Sequence, residues 1–176
     1  MNRWLAVLPL VLFLGLAALF GVYGLHHDPH VIPDALVGKP VPATVLPRLS
    51  DGGRQAVAQR PAGEKLRLIN FFASWCVPCV AENGALVALK ASGVKITGVA
   101  YKDKPAAIRA FLDRMGDPFD VVLMDEDGSA GVEFGVSGVP ETFLVDERGR
   151  VLAKHSGQLT PETADRLLSQ AAAAPR

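Results

Sequence analysis

Apolar positions fall along this chain in three patterns, and each predicts a different kind of structure. From Trp4 to Leu25 they run on without a charged residue, apolar on every face a helix could present. From Leu66 to Ala73 they form a short near-continuous block, the pattern of a strand buried on both faces. From Pro105 to Met115 they recur at helical spacing (Ile108, Phe111, Leu112, Met115) and stop at Gly116, predicting an amphipathic helix. Short apolar-biased pieces, Thr44 to Leu49 and Ala56 to Gln59, flank Asp51-Gly52-Gly53 and predict a small hairpin. Val80 to Lys90 reads as a helix ending near Gly93, and Val94 to Tyr101 and Phe119 to Met124 read as strands. Thr142 to Val145 and Val151 to His155 flank Glu147-Arg148-Gly149-Arg150 and predict a second hairpin. Pro161 to Ala174 predicts a last helix, with Thr160 as its N-cap. Strands alternating with helices imply an α/β domain with a mixed sheet.

The uncharged N-terminal run is 22 residues, which as a helix spans roughly 33 Å. Arg3 precedes it and no Lys or Arg follows until Lys39, so charge asymmetry leaves the N-terminus on the cytoplasmic side. A cleaved signal peptide is the competing reading. Phe20-Gly21-Val22-Tyr23-Gly24-Leu25 lacks an Ala-x-Ala site and the apolar run is long for such a peptide, so an uncleaved anchor is expected. His26 to Pro42 contains Pro29, Pro33, Pro40 and Pro42 and reads as an extended tether. The expected organisation is a span over residues 1–25, a tether over 26–42 and a folded domain over 43–176.

Charge adds little to this picture. Lys plus Arg number 18 and Asp plus Glu 18, so no basic excess points to nucleic acid.

The chemistry concentrates in Trp75-Cys76-Val77-Pro78-Cys79. Its two cysteines are the only ones in the chain, and they sit between a predicted strand and a predicted helix, the context of a redox dithiol. Cα atoms three residues apart on a helical turn lie about 5–6 Å apart, within reach of a disulfide. So short a loop makes a poor structural staple, which leaves reversible exchange as the use of the pair. Cys76, at the helix start, is the expected nucleophile, because unpaired N–H groups and the macrodipole there favour thiolate. Cys79, a turn further in, is the expected resolving thiol. Pro78 is tolerated in a first helical turn. Trp75 either shields the sulfurs or packs as an ordinary aromatic.

A metal site needs roughly four ligands and there is no second cysteine pair, so no metal and no cofactor beyond the dithiol is expected. A copper-holding module built on Cys76 and Cys79 is the alternative from another functional class. His26, His27 and His30 read as part of a wet tether, with metal binding the rival reading, and His155 reads as a satisfied surface residue. Asp125-Glu126-Asp127 before Gly128 reads as a loop turn that could add to an acidic rim.

Several stretches together carry a family resemblance: the N-terminal anchor, Gly38-Lys39-Pro40-Val41-Pro42, Asn70 to Cys79, Tyr101-Lys102-Asp103, and Gly135-Val136-Ser137-Gly138-Val139-Pro140-Glu141-Thr142-Phe143-Leu144-Val145-Asp146. Over nearly its whole length the chain resembles the membrane-anchored thiol–disulfide reductases of cytochrome c maturation, the DsbE/CcmG type. The resemblance implies a thioredoxin-like fold, a central mixed sheet flanked by helices, behind an N-terminal transmembrane helix. It implies residence in the inner membrane with the domain on the periplasmic side. Its implied partners are apocytochrome c or a thiol carrier of the haem-ligation machinery, and a membrane electron-donor thiol protein. It also implies a cis bond at Pro140, with Val139 presenting its backbone to an extended substrate beside Trp75, Val77 and Pro78.

Thioredoxin keeps a buried carboxylate where this chain has Asn70, and a neutral amide takes no proton from Cys79. The resemblance offers Glu82 and Glu141 instead. An acidic rim at these glutamates is expected to favour cationic or histidine-bearing substrates. A general extracytoplasmic reductase or oxidase of the same fold remains open, because the direction of electron flow is set by reduction potential.

Overall fold

The computed structural model describes residues 3–26, 36–59 and 65–173, in two units, Met1–Pro33 and Asp34–Arg176. The first unit carries helix α1, Arg3–His26, with Pro9 inside it. Its side chains are described over residues 9–21, all exposed. Among the described residues no helix is long and apolar enough to cross a membrane. His27, His30, Pro29 and Pro33 lie outside the described residues, as does the predicted helix end at Ala174.

The second unit is built on a five-stranded sheet in the order β5-β4-β3-β6-β7. The hairpin β1 (Val45–Pro47) and β2 (Arg54–Ala56) turns at Asp51-Gly52-Gly53 as expected. The central strand β3 (Leu66–Phe72) is the block that read as buried on both faces, and it leads into helix α2 (Val77–Ala91). There follow β4 (Lys95–Tyr101), helix α3 (Pro105–Met115), β5 (Val121–Asp125) and the short helix α4 (Ser129–Glu133). The chain then enters β6 (Glu141–Asp146), β7 (Val151–Ser156) and helix α5 (Pro161–Ala173). β3 pairs in parallel with β4 and antiparallel with β6, so the sheet is mixed. Thr160 caps α5, its Oγ1 accepting from Thr163 N at 3.3 Å.

Strand alternation sorts the core onto two faces. Leu68, Phe72 and Leu144 face α2, α3 and α5, in a cluster with Cys79, Leu86, Phe111 and Leu167. Ile69, Phe71, Phe143 and Val145 face the other way, against Leu46, Val57, Ala130 and Phe134. Each face is anchored by aromatic contacts: Phe72 stacks on Phe119 at 4.5 Å, and Phe71 meets Phe134 at 5.0 Å.

Two expectations are corrected. The domain begins before residue 43, since Gly38 N donates to Val151 O and Val151 N to Lys39 O, laying residues 38–41 along the edge of β7. Asp125-Glu126-Asp127 is more than a turn. Asp125 is fully buried, and its carboxylate accepts from Ala130 N and Gly131 N at 3.0 and 2.9 Å, starting α4. A five-residue helix is too short to show periodicity, so the pattern of apolar positions could not announce it.

Helix α4 also depends on close approach. A Cβ on Gly131 would collide with the ring of Tyr101. Gly131→Ala is therefore expected to destabilise the domain by about 1–3 kcal/mol through overpacking, read as a lower denaturant midpoint at unchanged slope; an unchanged midpoint would show that the ring yields freely.

Candidate active site

Cys76 and Cys79 stand where α2 begins. Cys76 is the N-cap residue, and its Sγ accepts the Cys79 backbone N–H at 3.2 Å. The two sulfurs are joined, with Cα atoms 5.2 Å apart. Pro78 lies in the first turn, where a missing N–H costs nothing. Both cysteines are nearly enclosed, at 4% and 2% exposure, so burial barely separates them. Position does: Cys76 is flanked by exposed Trp75 and Val77, at 59% and 78%, whereas Cys79 lies within the first turn of α2. A sulfur at an N-cap sits among unpaired N–H groups and at the positive end of the macrodipole, which favours its thiolate.

Two loops close on Cys76. The first follows β4. Asp103, buried, accepts from Ser74 N at 2.6 Å and from Lys104 N at 2.7 Å, which ties the Ser74–Trp75 turn to this loop. Trp75 Nε1 donates to Lys102 O at 3.3 Å, so the exposed indole is held at its edge and is not an ordinary core aromatic. Lys102 takes a left-handed conformation, φ 48°, uncommon outside glycine. The second loop precedes β6. The Val139–Pro140 bond is cis, and Val139 O lies 3.5 Å from Cys76 Sγ. The ladder with β3 begins one residue later, at Glu141.

The two candidate glutamates separate. Glu82, one turn after Cys79 on α2, is fully buried. Its Oε1 accepts from Asn70 Nδ2 at 3.0 Å and its Oε2 from Leu159 N at 2.9 Å. Asn70 Nδ2 also donates to Thr142 Oγ1 at 3.0 Å. Asn70 thus serves, by donating, a carboxyl brought in by the helix. Burial pushes the Glu82 carboxyl up to about 7, against the opposing pull of the Leu159 and Asn70 hydrogen bonds. A carboxyl held at that value exchanges its proton near neutral pH.

Glu141 lies on the other face of the sheet, the face of its ladder partner Phe71 and of Phe143. Its Oε1 accepts from Ser137 Oγ, Ser137 N and Ser156 Oγ at 2.6, 3.3 and 3.1 Å, and its Oε2 pairs with Lys154 Nζ at 2.9 Å. The acidic rim expected around the cysteines does not form: both glutamates are buried, Asp125 caps α4, and Glu126 pairs with Lys104 at 3.0 Å. His155 Nε2 meets Gln158 O at 3.1 Å, the satisfied role expected for it. Among the described residues no three His, Cys, Asp or Glu side chains converge as a metal-holding group.

Sequence reasoning missed Asp103, Lys154, Ser137 and Leu159 as parts of the site. Asp103 and Ser137 lie in stretches noted for their family resemblance, whereas Leu159 acts through its backbone, which no side-chain pattern reports.

The Redoxin family model matches residues 36–170. The thiol:disulfide interchange protein DsbE of Pseudomonas fluorescens biotype C is 41% identical over 157 residues, covering 89% of this chain and 86% of that protein. HelX, the thiol:disulfide interchange protein of Rhodobacter capsulatus, is 39% identical over 163 residues, 92% of each. Among solved structures, MTB DsbF in its mixed oxidized and reduced forms superposes with a TM-score of 0.61 at 27% identity, covering 74% of this chain and 98% of that one.

The raised Glu82 carboxyl makes stability depend on pH with a definite sign. Unfolded, the group titrates at its ordinary 4.5; folded, at about 7. The folded state holds the extra proton between those values, so its advantage is complete below about 4.5 and is lost as pH rises through 7. Glu82→Gln is expected to remove that loss, gaining on the parent by on the order of 3 kcal/mol between pH 4.5 and pH 8. Denaturant unfolding at the two pH values reads the difference, and parallel stability curves would show that the carboxyl titrates normally.

Proposed function

The chain belongs to the Redoxin family, and from that premise we propose that it is a thiol–disulfide oxidoreductase that reduces protein disulfides outside the cytoplasm during cytochrome c maturation. The observation that carries the reading is the joined Cys76–Cys79 pair at the N-terminus of α2, with the cis-proline loop against Cys76 and a buried carboxyl titrating near neutrality one turn further along the helix. The names of its relatives as thiol:disulfide interchange proteins support the activity.

In the reduced protein the Cys76 thiolate attacks one sulfur of a substrate disulfide, and the other substrate sulfur leaves as a thiolate that takes a proton. Glu82 accepts the Cys79 proton; Cys79 then attacks Cys76 Sγ, closes the intramolecular disulfide and releases the second substrate thiol. The substrate gains two electrons and the dithiol loses two. A thiol protein in the membrane returns the oxidised pair to the dithiol. Val139 presents its backbone to an extended peptide as an added strand, and Trp75, Val77 and Pro78 supply an apolar rim for the residues around its cysteines. The substrate is the Cys-x-x-Cys-His segment of apocytochrome c or the thiol carrier that serves it.

The uncharged Trp4–Leu25 run within α1, with Arg3 before it, supports a single-pass anchor in the inner membrane and a domain on the periplasmic side.

Cys76→Ser is expected to abolish exchange with a Cys-x-x-Cys-His peptide disulfide, and Cys79→Ser to accumulate a covalent mixed disulfide on non-reducing gels. If Cys79→Ser turned over normally and trapped nothing, the order of attack would be reversed. Equilibration with glutathione is expected to place the pair well below about −200 mV, as a reductase requires; a value near −120 mV would make it an oxidase.

A further inference from the structure

The loop Gly135-Val136-Ser137-Gly138-Val139-Pro140 is held from the sheet face opposite Cys79. Glu141 and Lys154 pair there at 2.9 Å, with side chains 1% and 4% exposed. Each partner also grips the loop. Lys154 Nζ donates to Gly135 O at 3.1 Å, at the loop's start. Glu141 Oε1 takes both the backbone N–H and the hydroxyl of Ser137, at its middle. The loop's far end is fixed separately, by Gly157 N on Pro140 O at 2.9 Å. Phe143 lies beneath the ammonium, 5.5 Å from its ring centre, and Ser156 Oγ adds a further hydrogen bond to Glu141 Oε1.

A buried charge pair contributes little net stability, since desolvation of both ions offsets their attraction. Its use must then lie in what it orients. What this pair orients is the segment that sets Val139 O 3.5 Å from Cys76 Sγ.

We propose that Glu141 and Lys154 are positioning residues, a buried clamp that fixes the 135–140 loop so that Val139 can pair with the backbone of an extended substrate, and that they determine recognition of peptide disulfides over small ones. This rests on the exchange activity proposed above. It assigns Glu141 a part separate from proton transfer, which its place across the sheet from Glu82 leaves to Glu82.

The test compares two substrates: an extended peptide carrying a Cys-x-x-Cys disulfide, and 5,5′-dithiobis(2-nitrobenzoate), which has no backbone to pair. The main variant is the double change Glu141→Gln with Lys154→Met, which leaves no unpaired charge in the interior. It is expected to raise KM for the peptide about tenfold, the worth of one or two backbone hydrogen bonds, with kcat changed by less than about twofold. The pH profile with the small disulfide is expected to superimpose on the parent's. Lys154→Arg, which keeps the charge, is expected to retain the parent's peptide KM. Ser137→Ala, at an exposed position, removes a single loop contact and is expected to raise the peptide KM about threefold, so the proposal stays open to refutation if the double variant fails to fold. An unchanged peptide KM in the double variant, or in Ser137→Ala where the double variant does not fold, would overturn the clamp. So would a shifted pH midpoint with the small disulfide in Glu141→Gln alone, since that is the mark of a proton carrier. A parent protein inactive on both substrates would refute the exchange reading itself, whereas a loss confined to the variants' peptide KM is the clamp's own signature.

Discussion

A carboxyl group enclosed beneath the first turns of α2 constrains the rest of this site. Glu82 is wholly buried, and burying a carboxylate without partners is costly enough that it neutralises instead. The surroundings answer that cost only in part. Asn70 from β3 and the Leu159 backbone from the segment before α5 each donate one hydrogen bond. Those two donors lie far apart in the chain. The carboxyl therefore ties the central strand, the cysteine-bearing helix and the entry to α5 into one arrangement. Because the donors fall short of full compensation, the group sits near the neutral point, where it can both hold and release a proton. The same shortfall that weakens the fold at high pH suits the group to the proton transfer proposed for it, one turn after Cys79.

Sheet parity then divides the labour. Asn70 and Thr142 face the helix that carries the cysteines, whereas their neighbours Phe71 and Glu141 face away. A single residue step in β6 thus sends Thr142 into the hydrogen-bond chain of Glu82 and Glu141 into a separate ion pair with Lys154. Cys76 is left between two loops, each fixed by a buried carboxylate: Asp103 through Ser74 N, and Glu141 through Ser137. The sulfur's surroundings are set by backbone held in place from behind, and little depends on side chains reaching over it from solvent.

The sequence made some of this legible for reasons that can be stated. The Cys76–Cys79 spacing, the buried block of β3 and the amphipathic α3 each carry a strong local signal, and the turn residues Asp51-Gly52-Gly53 and Glu147-Arg148-Gly149-Arg150 lie where the chain reverses. Other features depend on geometry that no local pattern records. Glu82 and Glu141 could be named but not assigned to opposite faces without the register of β6. Lys154 alternates with buried Val151 and Ala153 as though it pointed to solvent. The irregularity in the β6–β7 ladder, where Leu144 faces Ala153 but Val145 faces Val151, turns it inward. Cys76 stands at a helix start, and no local pattern records that the Val139 loop packs over it. Residues 38–41 read as tether by their prolines and glycine, though their backbone pairs with the edge of β7.

The site turns on Glu82 holding its proton near neutral pH because it is buried, one turn after Cys79 on α2. Carbon-13 NMR of the glutamate side-chain carboxyls, with Glu82 assigned by comparison with Glu82→Gln, measures this directly in the oxidised protein, where no cysteine titrates. The account predicts a midpoint at about 7. A midpoint near the ordinary 4.5 would contradict it, because a carboxyl fully ionised at neutral pH would meet the Cys79 thiol as a fixed charge with little affinity for its proton.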